Sequence, residues 1–391
     1  MVQINSGAPS TYNKAESILE LSGSGAGAEA ALVRVRALTE RMADLSMDAY
    51  RRQIVETACA DLLAEEAPDA VGAGRRFHLR SHIVEEVRHV DDGRLADYLF
   101  YRYRYDIFPE IHKVDAYPPC VQIEPTSVCN YRCVFCYQTD PALQDRKGGH
   151  KGRMDIDTFR RVVDQIEGHV EAVTLASRGE PLLCKDIDQM LAYAAGKFLG
   201  LKINTNAWYL DERRAHALLS AEPNTVVFSA DAADADLYRR LRVNGELDHV
   251  LNNIRQFAEI RAKHYPKSRT ITRVSGVKFS AEQNFMEIDA FWHQYADQVA
   301  FVDYNPWESV YDAEPTGVTA PCSDLWRRMF VWWDGRANPC DVDYLSSLSV
   351  GNVLENDLSE LWTGEAYERL RDSHLSEKRG RITPCNRCVV V

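Results

Sequence analysis

Cys129, Cys133 and Cys136 put three thiols into one short stretch, spaced by three intervening residues and then two. Thiolates are soft ligands, suited to zinc or to iron–sulfur centres. Three of them in a tight loop can hold three irons of a cubane cluster and leave the fourth iron without a protein ligand. An iron left open in this way is a place for a small molecule to bind. The other reading is a zinc knuckle, which needs a fourth Cys or His close by. Tyr137, Gln138 and Thr139 supply none, and His150 lies well beyond Cys136 in a Lys/Gly-rich stretch, so the cluster is the reading retained.

A second group consists of Cys322, Cys340, Cys385 and Cys388. Between its first two members runs an apolar, aromatic stretch with Asp334-Gly335 near its middle, the pattern of a hairpin that folds Cys322 and Cys340 together. Cys385 and Cys388, separated by Asn386 and Arg387, form a tight chelating pair. Four thiolates so arranged complete either a zinc site or a fully ligated cubane. Of the remaining cysteines, Cys59 and Cys120 read as small packed residues. Cys184 has two readings, a packed thiol and a hydrogen-atom donor to a substrate radical.

The elements that must position the first loop follow a β/α alternation. Residues 121–124 read as a strand that leads into the cysteines. Beyond it, helices at 154–166, 186–195 and 211–219 alternate with strands at 172–176, 201–203 and 225–228. A helical stretch over 234–264, broken near Gly245, precedes a strand over 270–279. Ser280 and Gln283 have the spacing of a capping box that opens the next helix, and 298–304 is the last strand. Six β/α units are two short of a closed eight-fold barrel, so an open partial barrel is predicted, with chemistry at the carboxyl ends of its strands. The turn Gly179-Glu180-Pro181 follows the second strand and carries one acceptor suited to an ammonium. Asn206, Ser229, Asp231 and Arg273 lie at or near the ends of later strands.

The CxxxCxΦC loop after a first strand resembles the signature of the radical S-adenosylmethionine (radical SAM) superfamily. That resemblance implies a cluster whose open iron chelates S-adenosyl-L-methionine and which, when reduced, cleaves it to a 5′-deoxyadenosyl radical. It places Phe135 beside the adenine and Gly179, Glu180 and Pro181 at the amino group, with Arg178 where the family's GGEP motif has its first glycine. Asn206 and Ser229 would face the ribose and carboxylate, and Arg273 would neutralise a carboxylate. Cys322, twelve residues, Gly335, four residues, Cys340 is similar to the opening of SPASM and twitch extensions. It implies one auxiliary cluster held by Cys322, Cys340, Cys385 and Cys388, hence two [4Fe-4S] clusters in all. The predicted fold is α/β: a partial (β/α)6 TIM barrel over 119–315, a mainly helical accessory region over 1–118, partly mobile at its start, and a twitch/SPASM-like domain over 316–391.

Composition bounds the partners. The chain has 391 residues, 45% of them hydrophobic, and a net charge of −12 from 46 basic and 58 acidic residues. That balance disfavours a general nucleic-acid binder. No apolar run is long enough to span a membrane, no secretion signal stands at the start, and cysteines clustered for metal point to a reducing cytoplasm. The expected partners are a small-molecule substrate, a reductant such as flavodoxin or ferredoxin, and a second copy of the chain. The residues from Ala28 onward carry long helical runs, whereas a peptide-recognition module of peptide-modifying radical enzymes would begin with a three-stranded sheet. An auxiliary cluster with four thiolates has no open iron, so its use is electron transfer. The spacing resembles that of family members with one four-cysteine auxiliary cluster, and this resemblance implies oxidation of a hydroxylated small molecule of sugar or aminocyclitol type. Peptide modification and redox-neutral carbohydrate epimerisation or dehydration are the alternatives. Arg273, Asp231 and Cys184 are the candidate catalytic residues, with Asp303, Tyr304 and Glu308 as further candidates for the base.

Overall fold

A computed structural model of the chain describes residues 11–13, 18–20, 27–64, 76–78, 80–145 and 147–391. Most of the start of the chain, expected to be mobile, lies outside the described residues. Residues 18–20 form β1 (Ile18–Glu20). Four helices follow, α1 (Ala28–Glu40), α2 (Ala49–Leu63), α3 (Ser81–His89) and α4 (Leu95–Asp106). The Asp48 side chain caps α2 by accepting from the Arg51 N–H at 2.8 Å. Val35, Leu38, Val55, Ala58 and Leu99 are fully buried in a core of their own, and Cys59 packs there at 1% exposure. Arg104 fastens this layer to the rest of the chain, with ion pairs of 2.7 Å to Asp115 and to Glu171.

The barrel strands are β2 (Cys120–Ile123), β3 (Ala172–Leu175), β4 (Gly200–Thr205), β5 (Thr225–Ser229), β6 (Ile271–Lys278) and β7 (Gln298–Asp303). They pair in that order, all parallel. Helices α5 (Ile156–Ile166), α6 (Ile187–Ala194), α7 (Glu212–Ala221), α8 (Ala235–Leu241), α9 (Leu247–His264) and α10 (Phe285–Trp292) fill the crossovers. Their apolar stripes bury residues such as Phe159, Val162, Leu191, Leu218 and Ile254 against the sheet. Burial on both faces is why the strands read as apolar runs.

The sheet does not end with six strands. On one edge β1 pairs antiparallel with β7. On the other, β8 (Arg328–Val331) pairs parallel with β2, and β9 (Arg336–Asn338) and β10 (Gly351–Asn352) continue antiparallel, giving ten strands. The aromatic hairpin predicted between Cys322 and Cys340 is β8–β9, and Gly335 takes the left-handed φ of 79° at its turn. One local expectation is corrected. Ser280 and Gln283 close a turn, with Gln283 Oε1 accepting from the Phe279 and Ser280 N–H groups at 2.8 Å. The helix itself opens later, capped by Asn284. Two helices, α11 (Leu358–Thr363) and α12 (Glu365–Leu375), divided at Gly364, lead to the terminal cysteine pair. No helix among the described residues is long and apolar enough to cross a membrane.

Candidate active site

The cysteine loop begins where β2 ends and is pinned from two sides. Thr126 Oγ1 donates to the Gly152 carbonyl at 2.7 Å, and the short strand Arg132–Cys133 pairs antiparallel with Arg242–Val243. That second pairing lies at the helix break near Gly245, and it places Arg242 against the cysteines. Arg242 Nη1 stands 3.8 Å from Cys133 Sγ, while its Nε pairs with Asp231 at 2.5 Å. Backbone N–H groups of Tyr131 and Gln138 point at Cys129 Sγ and Cys136 Sγ, at 3.4 and 3.5 Å. Burial pushes the Cys129 thiol up to about 12, with the Cys133 thiol adding to the shift, and burial pushes Cys133 up to about 11 against the pull of Arg242. Such thiols stay neutral on their own, and a bound metal is what removes their protons. The N–H donors and the Arg242 cation suit anionic sulfur, so the donor set fits an iron–sulfur cluster.

Gly179 and Glu180 face this loop from the end of β3. A Cβ on Gly179 would lie 2.2 Å from the Thr126 carbonyl oxygen and 2.6 Å from that of Val128, so the close approach of the two loops requires glycine. The Glu180 N–H donates to the Val128 carbonyl at 2.9 Å. Its carboxylate accepts from Thr205 Oγ1 (2.6 Å) and Leu182 N–H (3.0 Å) on Oε1, and from Asn206 N–H (2.7 Å) on Oε2. A carboxylate has about four acceptor positions, so one on Oε2 is left for an ammonium. Asn206 Nδ2 donates to Asn130 Oδ1 at 3.0 Å and lies 4.0 Å from Cys129 Sγ.

A cavity of about 950 Å³ opens in front of these groups. Cys129, Cys133, Phe135, Cys136, Gly179, Glu180, Asn206, Ser229 and Arg273 all line it. Pro181, Asp231 and Cys184 do not. Asp231 is fully buried, committed to Arg242 and to the Val277 N–H at 2.6 Å. Cys184 is fully buried, with its sulfur 3.6 Å from the Met154 carbonyl. Asp303 pairs with Lys278 at 2.7 Å, and Tyr304 donates to Glu308. Arg242 was missed in the sequence. Its signal is the helix break near Gly245, which turns a charged helix end toward the cysteine loop.

Cys322, Cys340, Cys385 and Cys388 are each partly buried. The Cys340, Cys385, Cys322 and Cys388 thiols lie near enough to influence one another, and burial pushes the Cys322 thiol up to about 12, with Asp324 adding to it. Arg379, 1% exposed, donates to the carbonyls of Ala320 (2.8 Å), Cys385 (3.1 Å) and Cys388 (2.7 Å), so it staples the loops that carry three of the four thiols. Burial, then Arg379, holds the His374 imidazole down to about 4, and its Nδ1 accepts the Cys322 N–H at 3.1 Å. Among the described residues no three Cys, His, Asp or Glu side chains converge closely enough for a single metal ion. An apolar layer joins the two cysteine groups: Tyr137, next to Cys136, lies with its ring 5.2 Å from that of Tyr344, tilted by 32°, and the Tyr344 ring lies 5.0 Å from that of Tyr311. Arg178 is the other link. It bonds Glu124 through Nε (2.8 Å) and Nη2 (2.6 Å), donates to the Tyr344 carbonyl (2.9 Å) and lies over the Trp332 ring at 4.3 Å.

The sequence profile of the Radical SAM superfamily matches residues 123–288, and that of an iron–sulfur cluster-binding domain, SPASM, matches residues 322–389. The chain is 27% identical over 245 residues to GTP 3′,8-cyclase of Listeria welshimeri, covering 61% of this chain and 66% of that protein. It is 22% identical over 174 residues to the mycofactocin maturase MftC of Mycolicibacterium smegmatis, covering 44% of this chain and 41% of that one. The chain thus spans less than two thirds of the length of these relatives. Streptococcus suis SuiB bound to its precursor peptide SuiA shares the fold, with a TM-score of 0.52 at 15% identity, over 95% of this chain and 90% of that one.

Proposed function

As a radical SAM superfamily enzyme with a C-terminal iron–sulfur cluster-binding domain, this protein binds S-adenosylmethionine and an iron–sulfur cluster, and we propose that it uses them to oxidise a substrate held in the barrel cavity. One observation carries this reading: three thiols and a Gly-Glu turn with a spare acceptor face one cavity, and Cys322, Cys340 and Cys388 pack with Cys136 against one aromatic cluster. Cys129, Cys133 and Cys136 hold the first cluster, and Cys322, Cys340, Cys385 and Cys388 a second [4Fe-4S] cluster. When bound, S-adenosylmethionine at the reduced first cluster supplies a radical that takes a hydrogen atom from carbon, and the second cluster supplies an acceptor for one electron.

The chain's own residues set the geometry. Glu180 Oε2 would hold the ammonium of the cofactor, Asn206 and Ser229 would flank its ribose, Arg273 would meet a carboxylate, and Phe135, backed by Phe279 at 5.5 Å, would pack on the adenine. Arg242 holds positive charge against Cys133. Phe135 is fixed at its carbonyl by Trp307 Nε1 at 2.7 Å.

Two substrate classes have support from different observations. Peptide modification is the one the comparisons favour, since MftC is named a maturase and SuiB binds a precursor peptide. A hydroxylated small molecule is supported by the cavity, whose volume is within the ~300–1,000 Å³ of small-ligand sites. The oxidative reading is tested by mass spectrometry of the product after incubation with substrate extracts. A loss of about two mass units per S-adenosylmethionine consumed is expected. An unchanged mass in ordinary water would overturn oxidation. Cys340→Ala should spare deoxyadenosine formation more than product formation.

A further inference from the structure

The cavity continues down the inside of the sheet, and around its wall arginine and lysine outnumber aspartate and glutamate, although the chain as a whole carries −12. Most of these cations are committed: Arg178 to Glu124, Arg242 to Asp231, Arg102 to Asp106. Arg327 and Arg328 are different. They sit at the junction of the short helix Asp324–Arg327 with β8, and their guanidiniums flank one ring, Tyr105 of α4, at 5.2 and 5.3 Å. Arg327 is 3% exposed, and neither Nε has a hydrogen-bond partner. Among the described residues the one carboxylate within ion-pair distance of either is Asp324, a long 3.5 Å from Arg328.

Arg327, buried, and Arg328, 15% exposed, repel one another beside a single ring and have given up most of their water, against which Asp324 and, beyond ion-pair distance, Asp341 act on Arg328. The ring face recovers a part of this. An anion in the cavity would recover the rest, because guanidinium forks match planar or tetrahedral oxygen groups in two-point contacts. We propose that the cavity takes a substrate bearing an anionic oxygen group, a phosphate or a carboxylate, and that Arg327 and Arg328 receive it over Tyr105. This rests on the reading of the cavity as the substrate site. Arg327 and Arg328 set which substrates enter; they are not assigned a part in the radical chemistry.

The experiment is calorimetric titration of the full-length, cluster-loaded protein with sodium pyrophosphate and, separately, with sodium citrate, at constant ionic strength. Saturable binding of one is expected, and the stronger arm identifies phosphate or carboxylate as the source. Arg327→Gln and Arg328→Gln should each weaken it by about tenfold or more, with S-adenosylmethionine affinity unchanged. Arg327→Lys, which keeps the charge and loses the fork, should fall between, and serves if the glutamine variants do not fold. Absence of saturable binding of either anion, or binding indifferent to all three variants, would overturn the proposal. The enzyme reading fails separately: anion binding without cleavage of S-adenosylmethionine would sink that reading alone, and cleavage without anion binding would sink this one alone.

Discussion

Replacing Arg178 with methionine should destabilise the whole chain, because this residue ties the Gly-Glu-Pro turn to the second cysteine domain. Arg178 is 2% exposed and Glu124 fully buried. Methionine keeps most of the volume and removes the charge, which leaves the Glu124 carboxylate with the backbone N–H groups of Arg178 (3.1 Å) and Trp333 (3.3 Å) as donors. Breaking a buried pair from one side costs roughly 3–5 kcal/mol. The lost contact over Trp332 adds about 0.5–2 kcal/mol. At ~2–4 °C per kcal/mol for a domain of this size, the thermal midpoint should fall by about 7–28 °C. Tryptophan fluorescence reads it directly, since Trp332 and Trp333 sit at the pair. Adding Glu124→Gln to Arg178→Met removes the stranded charge, so the double variant should recover part of the loss. A single variant with the midpoint of the parent, or a double variant whose losses simply add, would refute the account of Arg178.

Gly179→Ala should lower S-adenosylmethionine affinity in equilibrium dialysis by about tenfold or more, because a Cβ there forces the turn away from the Thr126 and Val128 carbonyls while the helices remain. Cys184→Ala should leave turnover and product mass intact, since that thiol is buried beneath Met154 and does not line the cavity; a product that stops gaining solvent deuterium in this variant would overturn that. Asp297 is pushed up by burial, but bonds from Arg261 and Thr272 outweigh it and hold its carboxyl below 3.8. Its contribution to stability is therefore fully present above that value and is lost as pH falls through the lower folded value. Asp297→Asn should lower the thermal midpoint near pH 7, and the difference from the parent should shrink as pH falls below the ordinary carboxyl range.

The barrel was legible because its strands are apolar runs and its helices carry 3.6-residue stripes; 225–228 and 270–279 lie within a residue of Thr225–Ser229 and Ile271–Lys278. The cysteine groups were legible from spacing, and the hairpin from Asp334-Gly335. What the chain concealed is non-local. Nothing in 328–331 says that the strand will lie parallel beside Cys120–Ile123, since a sheet edge is chosen by what remains unpaired after the barrel forms. Arg178 and Glu124 are far apart in sequence, and their pairing depends on two loops meeting. Asp231 looked like a base at a strand end, and only the turn near Gly245 reveals that it faces Arg242. Ser280 and Gln283 had the spacing of a cap, but their side chains close a turn before the helix begins.

The central claim is that Cys129, Cys133 and Cys136 assemble a centre that cleaves S-adenosylmethionine. The most direct test is to reconstitute the full chain anaerobically with iron and sulfide, reduce it, and quantify 5′-deoxyadenosine by mass spectrometry beside Cys133→Ala. Deoxyadenosine from the parent protein and none above background from the variant is the predicted result. A parent protein that forms no more than Cys133→Ala, with substrate extracts present and iron incorporated, would contradict the account.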